Sequence, residues 1–323
     1  MTRYLWLLLI AAMPHLAHAD GSTAQPETMD VAMLGEASGA YGSTRNVAED
    51  FMVLPYGLDL GAHVRTITAD DGLVGKLKLT DVALFDVAAS WAIANHYELD
   101  ASGTLLAKQP STTDEPVLQS GSIALRRELP HRIAVSLAGS ASALVNLHGD
   151  ALGGSATLAH KHRLNEIVTF GLSLGADGIA IRNANVDAVA TRGAVTDAMR
   201  PWLVEVGGHA SVLARIPNGV WGCWVDVGYA VPVAHGGLDP VSEMPLDPQP
   251  RFDITLGTAV QLAEQWDLSF TVAVLDRGDA ANPATELPIL DDGFDQIQMM
   301  LGVSRRFGHE DPQALAMRAS MAE

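Results

Sequence analysis

The sequence predicts an all-β fold: a single antiparallel β-barrel of about 12 strands that crosses a lipid bilayer, with short periplasmic turns and long extracellular loops. Three observations predict it. Segment after segment alternates apolar with small or polar residues, as in Ser211–Asp226, where two such runs flank Pro217-Asn218-Gly219. Side chains change face at every residue of a strand, so each run is a strand with one oily face. The connections alternate between short and long, and an export signal precedes the whole.

Taken in order, the first element is that signal. Arg3 supplies its charge, Leu5–Met13 its apolar run, and Ala17-His18-Ala19 a small-x-small cleavage site, so residues 1–19 are removed and the mature chain starts at Asp20. Residues 20–55 are acidic, small and weakly patterned. They are expected to be a mobile periplasmic segment, able to serve as a plug. The barrel occupies 56–307. Its strands are placed at 56–65, 83–93, 97–105, 121–129, 132–141, 154–164, 167–176, 202–216, 220–232, 252–263, 266–276 and 294–307. Most reach the ~9–11 residues that a tilted strand needs to cross a bilayer. A periplasmic tail, 308–323, follows, with Asp311-Pro312 opening a short helix as N-cap and first residue.

Between these strands lie five short turns: Ala94-Asn95-His96, Pro130-His131, Asn165-Glu166, Pro217-Asn218-Gly219 and Glu264-Gln265. Six long connections lie between them, at 66–82, 106–120, 142–153, 177–201, 233–251 and 277–293. Antiparallel neighbours then gather the turns at one end and the loops at the other, as outer-membrane barrels do. A secreted β-sandwich would also alternate, but it has no reason to sort its loops by length.

The bulk chemistry narrows the partners. With 38 Asp+Glu against 20 Lys+Arg, the formal net charge is −18, which repels nucleic acid phosphates. The single cysteine, Cys223, excludes an internal disulfide. No Cys/His spacing of a metal site and no strand–glycine loop–helix phosphate motif is present, so no metal and no cofactor are expected.

Phasing each strand by its larger apolar set gives the two faces. Phe85, Val87, Ala89, Trp91 and Ile93 oppose Asp86, Ala88, Ser90 and Ala92; Val168, Phe170, Leu172 and Leu174 oppose Thr169, Gly171, Ser173 and Gly175. The apolar sets face lipid. Their aromatics Trp91, Tyr97, Trp202, Trp221, Tyr229, Phe252 and Trp266 cluster at strand ends, where rings sit at the headgroups. The other sets line the lumen. Its charged members are Asp59, Asp86, Asp100, Glu205, Asp226 and Asp253 against Arg65, Lys161, Arg163, Arg215 and Arg306, with His63 and His209 titratable. Strand spacing and tilt give a backbone diameter of about 24 Å and a lumen of about 12 Å before large side chains intrude.

Phe294–Phe307 resembles the closing strand of Gram-negative outer-membrane proteins: apolar Ile297, Met299, Leu301 and Val303 alternate before the aromatic Phe307. Arg305 replaces the usual tyrosine, and the tail after Phe307 also departs from that pattern. The resemblance covers residues 56–307 and is nearest to small-solute channels and transporters. It implies that Phe307 is an assembly signal, read by the outer-membrane assembly machinery, and that the strand seals against the first one. The implied function is passive passage of small solutes, in the outer membrane of a Gram-negative bacterium. Two alternatives stay open. One is a closed structural or interaction barrel with partner-binding loops. The other is a lipid hydrolase, since His209 and Ser211 resemble the His-x-Ser pair of a lipid-A deacylase-like enzyme. Asp70-Asp71, Asp150, Asp279 and Asp291-Asp292 are placed in the outer loops, where they could bind divalent cations or form a rim that resembles an omptin-like site.

Overall fold

A computed structural model describes residues 57–70, 76–77, 83–94, 96–108, 118–144, 149–165, 167–183, 200–216, 221–238, 245–263, 265–277 and 294–307. The export signal, the 20–55 segment, Tyr56, the 308–323 tail and the acidic residues 71, 279, 291 and 292 lie outside the described residues.

The strands are β1 (Leu58–Asp70), β2 (Lys76–Leu77), β3 (Ala83–Ala94), β4 (Tyr97–Lys108), β5 (Leu118–Leu129), β6 (Ile133–Leu144) and β7 (Gly149–Arg163). They continue with β8 (Val168–Asn183), β9 (Trp202–Arg215), β10 (Trp221–Gly236), β11 (Arg251–Ala263), β12 (Trp266–Arg277) and β13 (Phe294–Phe307). Each wall strand pairs antiparallel with the next in sequence, and β13 pairs back onto β1 from Leu58↔Phe307 to Asp70↔Asp295. The sheet is therefore closed and has no free edge, which matters because an open edge in lipid would leave backbone groups unsatisfied. Strand β2 is not part of the wall; it only extends the ladder at the tip of β1 through Ala69↔Leu77 and Asp70↔Lys76.

The turns show how local chemistry fixes the hairpins. Between β5 and β6, a 3-10 turn at Pro130–Arg132 has His131 at φ 65° and Arg132 at φ 57°. Two successive positive-φ residues give the backbone twist that a tight hairpin needs. Between β7 and β8, the Asn165 Oδ1 accepts the amides of Ile167 (2.8 Å) and Val168 (2.7 Å). That is the side-chain-capped turn for which asparagine is suited.

Several strands run further toward the loop end than the sequence pattern marks. Most affected is the 142–153 connection, expected to be a long loop. β6 continues to Leu144 and β7 begins at Gly149, leaving only 145–148 between them. Strict alternation of short and long connections therefore fails once. Asp150, expected in an outer loop, lies within β7 opposite Ala143 and Arg182, and Asp70 ends β1. The cause is composition: Ser142-Ala143 and the mostly small Gly149-Asp150-Ala151-Leu152-Gly153 alternate too weakly in hydropathy to register as strand.

The two faces separate cleanly by exposure. Leu174 (67%), Leu137 (59%), Leu158 (51%) and Leu301 (54%) are exposed on the outside. On the alternate face, Asp226, Glu98 and Leu84 are each 0% exposed. A contiguous leucine-rich exterior of this extent has no place on a soluble monomer; it fits hydrocarbon.

Candidate functional site: the barrel interior

Alternation places the interior side chains, and register decides which of them meet. β1, β3, β4 and β13 build the first cluster. Arg65 (4% exposed) donates to Asp86 Oδ1 at 2.8 Å and to Gln298 Oε1 at 3.2 Å. The Thr104 hydroxyl donates to the same Asp86 oxygen at 2.7 Å. His63, two residues before Arg65, lays its ring over Gly302 of β13, where any Cβ would collide with it. Asp59 is buried further along the same face of β1.

A second cluster joins β9, β11 and β12. Glu205 accepts from Arg277 at 2.8 Å and from Arg251 at 3.2 Å, and Arg277 also donates to the Gln249 carbonyl at 2.6 Å. A third, nearer the turns, joins β4 and β5: Arg126 reaches Glu98 at 2.8 Å and Asp100 at 3.5 Å. In a fourth, the Nδ1 of His209 lies 2.9 Å from Asp226 and 3.5 Å from Asp253. Arg306 pairs with Asp267 at the turn end, where Arg306 is exposed. Arg163 is likewise exposed at the end of β7 and donates to the Asn165 carbonyl. Lys161 and Arg215 are partly buried on the same alternation as their buried neighbours Ala159 and Leu213.

The interior is uneven around its circumference. In the middle of the wall, charged groups concentrate on β9 to β13, β1 and β3; those of β4, β5 and β7 (Glu98, Arg126, Lys161 and Arg163) lie nearer the turns. Across β5 to β8 the corresponding positions are small: Ser122, Ala124, Ala138, Ser140, Ser155 and Gly175. Among these small residues Asp177 is an exposed carboxylate, paired in register with Ser155 and Glu205. Solvent reaches it from inside the wall.

The interior is also less polar than expected. Leu84, Ile181, Leu203, Leu275 and Met300 are buried toward the loop end, and Leu213 packs with Trp224 and Ala259 lower down. The indole of Trp224 occupies the space above Gly257, where a Cβ would overlap its ring. Sequence phasing placed Trp224 inward but overlooked the others, of which only Ile181 lies beyond the marked runs; the rest sit inside them on the inward alternation.

Glu98, Arg126, Asp177, Arg251 and Arg277 are interior residues that were not singled out. Glu98 was legible from its parity with Asp100. Asp177 was missed because the alternation was ended at 176, whereas β8 continues to Asn183.

The expected interfacial aromatics all lie on the outward alternation; Trp91 (55%), Tyr229 (55%), Trp266 (41%), Phe252 (40%) and Trp202 (38%) are well exposed. Arg127 stacks over Tyr97 at 5.3 Å, and Arg305 over Trp266 at 5.1 Å and Phe307 at 4.6 Å. These pairs put a cation and a ring together at the turn end, as lipid headgroups favour.

For hydrolysis, His209 would need to hold the Ser211 hydroxyl as its base. Ser211 Oγ is buried with no hydrogen-bond partner, so neither imidazole nitrogen holds it, although Nδ1 is oriented by Asp226. Both residues face the interior rather than lipid, so a membrane-facing His-x-Ser site is not formed.

No protein-family model and no curated protein matches the chain. Solved structures do. An outer membrane channel from Pseudomonas putida F1 aligns with TM-score 0.50 and 10% identity, over 82% of this chain and all (100%) of that one. The NanC porin aligns with TM-score 0.46 and 9% identity, over 76% of this chain and 100% of its own. The CymD monoaromatic hydrocarbon channel aligns with TM-score 0.41 and 11% identity, over 89% and 100%. At such identities the likeness is one of fold, the closed antiparallel β-barrel described above.

Proposed function

We propose that this barrel sits in the outer membrane and lets small solutes cross passively, down their gradients and without a cofactor. The observation that supports this most is the lopsided interior. Charged clusters line much of the wall, a band of small Ser, Ala and Gly residues crosses the middle of β5 to β8, and Asp177 in that band is open to solvent. In this reading the mixed charges tune which solutes pass. The chain is exported, cleaved after Ala19, and delivered with Phe307 as its assembly signal; β13 closes the wall through the Leu58↔Phe307 pair.

Reconstitution into liposomes tests it. The refolded barrel should support swelling in small sugars or amino acids and stepwise conductance in planar bilayers. A barrel shown folded by its heat-modifiable gel mobility, yet giving neither, would overturn the channel reading.

That negative result would support the closed structural barrel instead. One observation favours this second reading: interior charges such as Glu98 (0%), Asp226 (0%) and Arg277 (2%) are withdrawn from solvent. In that case the loops would carry the function, through partner binding.

A further inference from the structure

We infer that His209, Asp226 and Asp253 form a binding site for a divalent cation in the inner wall, of the class that takes Zn2+ or another first-row ion on nitrogen and oxygen donors. The inference rests on the fold alone and goes beyond solute passage.

Register assembles the site. Gly228 of β10 pairs with both His209 of β9 and Asp253 of β11, and Asp226 pairs with Ser211 and Thr255 on those same strands. Six residues thus form two adjacent rows across three strands. Gly228 carries no side chain, and a Cβ there would collide with both Asp253 carboxylate oxygens and the His209 ring. Imidazole and carboxylate therefore converge above bare backbone.

The donor geometry suits an ion. His209 Nδ1 is 2.9 Å from Asp226 Oδ1 and 3.5 Å from Asp253 Oδ2, and one ligand atom from each residue fits within 4.8 Å of the others. A tetrahedral ion with bonds of about 2.1 Å holds its donors about 3.4 Å apart. The 2.9 and 3.5 Å pairs already lie near that spacing, and the two carboxylates would draw together from up to 4.8 Å to complete the set.

A second, independent observation points to a missing ligand. Asp226 (0% exposed), Ser211 (1%) and Thr255 (1%) are cross-strand neighbours, and Asp226 Oδ2, Ser211 Oγ and Thr255 Oγ1 have no hydrogen-bond partner. Such atoms occur elsewhere in this interior too, but these three meet on adjacent strands beside the His209 and Asp253 donors, and buried polar groups call for a partner. An ion with bound water accounts for them: the second Asp226 oxygen joins the coordination, and the hydroxyls accept from the water. The charge also fits. Two carboxylates face the site, and the nearby cation Arg251, two positions along β11 from Asp253, pairs with Glu205 at 3.2 Å. The His209 side chain is 27% exposed, which leaves a route of entry from the lumen.

Zn2+ alone is the probe. Titration of the refolded, chelator-treated full chain in detergent, followed by calorimetry, should give one Zn2+ per barrel. His209→Gln and Asp253→Asn should each weaken binding more than ~100-fold, because even the outer-shell partners of metal ligands are worth 10–100-fold. Gly228→Ala removes no donor but fills the cradle, and should weaken binding as well. Gel mobility confirms that each variant is folded. Absence of stoichiometric binding by the folded wild type would overturn the inference. So would binding that survives both His209→Gln and Asp253→Asn, which would place the ion on other histidines. Binding in detergent needs no conducting lumen, so its failure and a failure of solute flux are separate results.

Discussion

Arg65→Met lowers the stability of the folded barrel by about 3–5 kcal/mol, the cost of removing one partner from a buried ion pair. Its guanidinium is 4% exposed and holds Asp86 at 2.8 Å and Gln298 at 3.2 Å, so it ties β1 to β3 and β13 at the seam where the sheet closes. Without it, Asp86 (3% exposed) keeps a carboxylate in the wall with the Thr104 hydroxyl as its donor. The double variant Arg65→Met, Asp86→Leu removes both charges and recovers most of the loss, since a buried pair is worth little more than apolar groups of similar volume. Arg306, whose side chain is 47% exposed beside Asp267, supplies the contrast. Arg306→Met costs at most about 1 kcal/mol. Reversible urea unfolding in detergent, followed by tryptophan fluorescence, measures all three.

Leu174→Arg in phospholipid vesicles costs about 2–4 kcal/mol, the penalty for a cation near the bilayer midplane. Leu174 is 67% exposed, halfway along the lipid-facing part of β8, with Leu158 beside it in register. On a water-exposed surface the same substitution stays within about 0.5 kcal/mol of neutral. The sign and size of the effect therefore report what touches this face. Folding equilibria of wild type and variant in the same vesicles give the number directly.

Most of the wall was legible because lipid imposes a simple rule on it. Large apolar residues at every second position, as in Val168, Phe170, Leu172 and Leu174, are needed all along a strand with no core to hide in. That rule also sets the inward phase of Asp59, Asp86 and Glu205. It fades where the outer residues become small: Ala176, Gly178 and Ala180 carry β8 past its last leucine, so Asp177 looked like loop. The same weakness hid the shortness of the 145–148 connection. The interior clusters were not legible for a different reason. His209 and Asp226 lie 17 residues apart, and Glu205 and Arg277 lie 72 apart. Each pair is created by strand register, and a shift of one residue would turn either partner to lipid. The buried leucines sit on the inward alternation, where the apolar-outside rule makes no demand on their identity, so nothing in the pattern marks them.

The account depends on one face of each strand meeting hydrocarbon while the other meets water. A nitroxide scan of positions 172–177 in vesicles, in a Cys223→Ser background, tests this most directly. Collision with oxygen should peak at 172, 174 and 176, and collision with a polar nickel chelate at 175 and 177. Loss of that alternation, or a polar reagent that reaches Leu172 and Leu174 as freely as Asp177, would contradict the barrel's placement in a membrane.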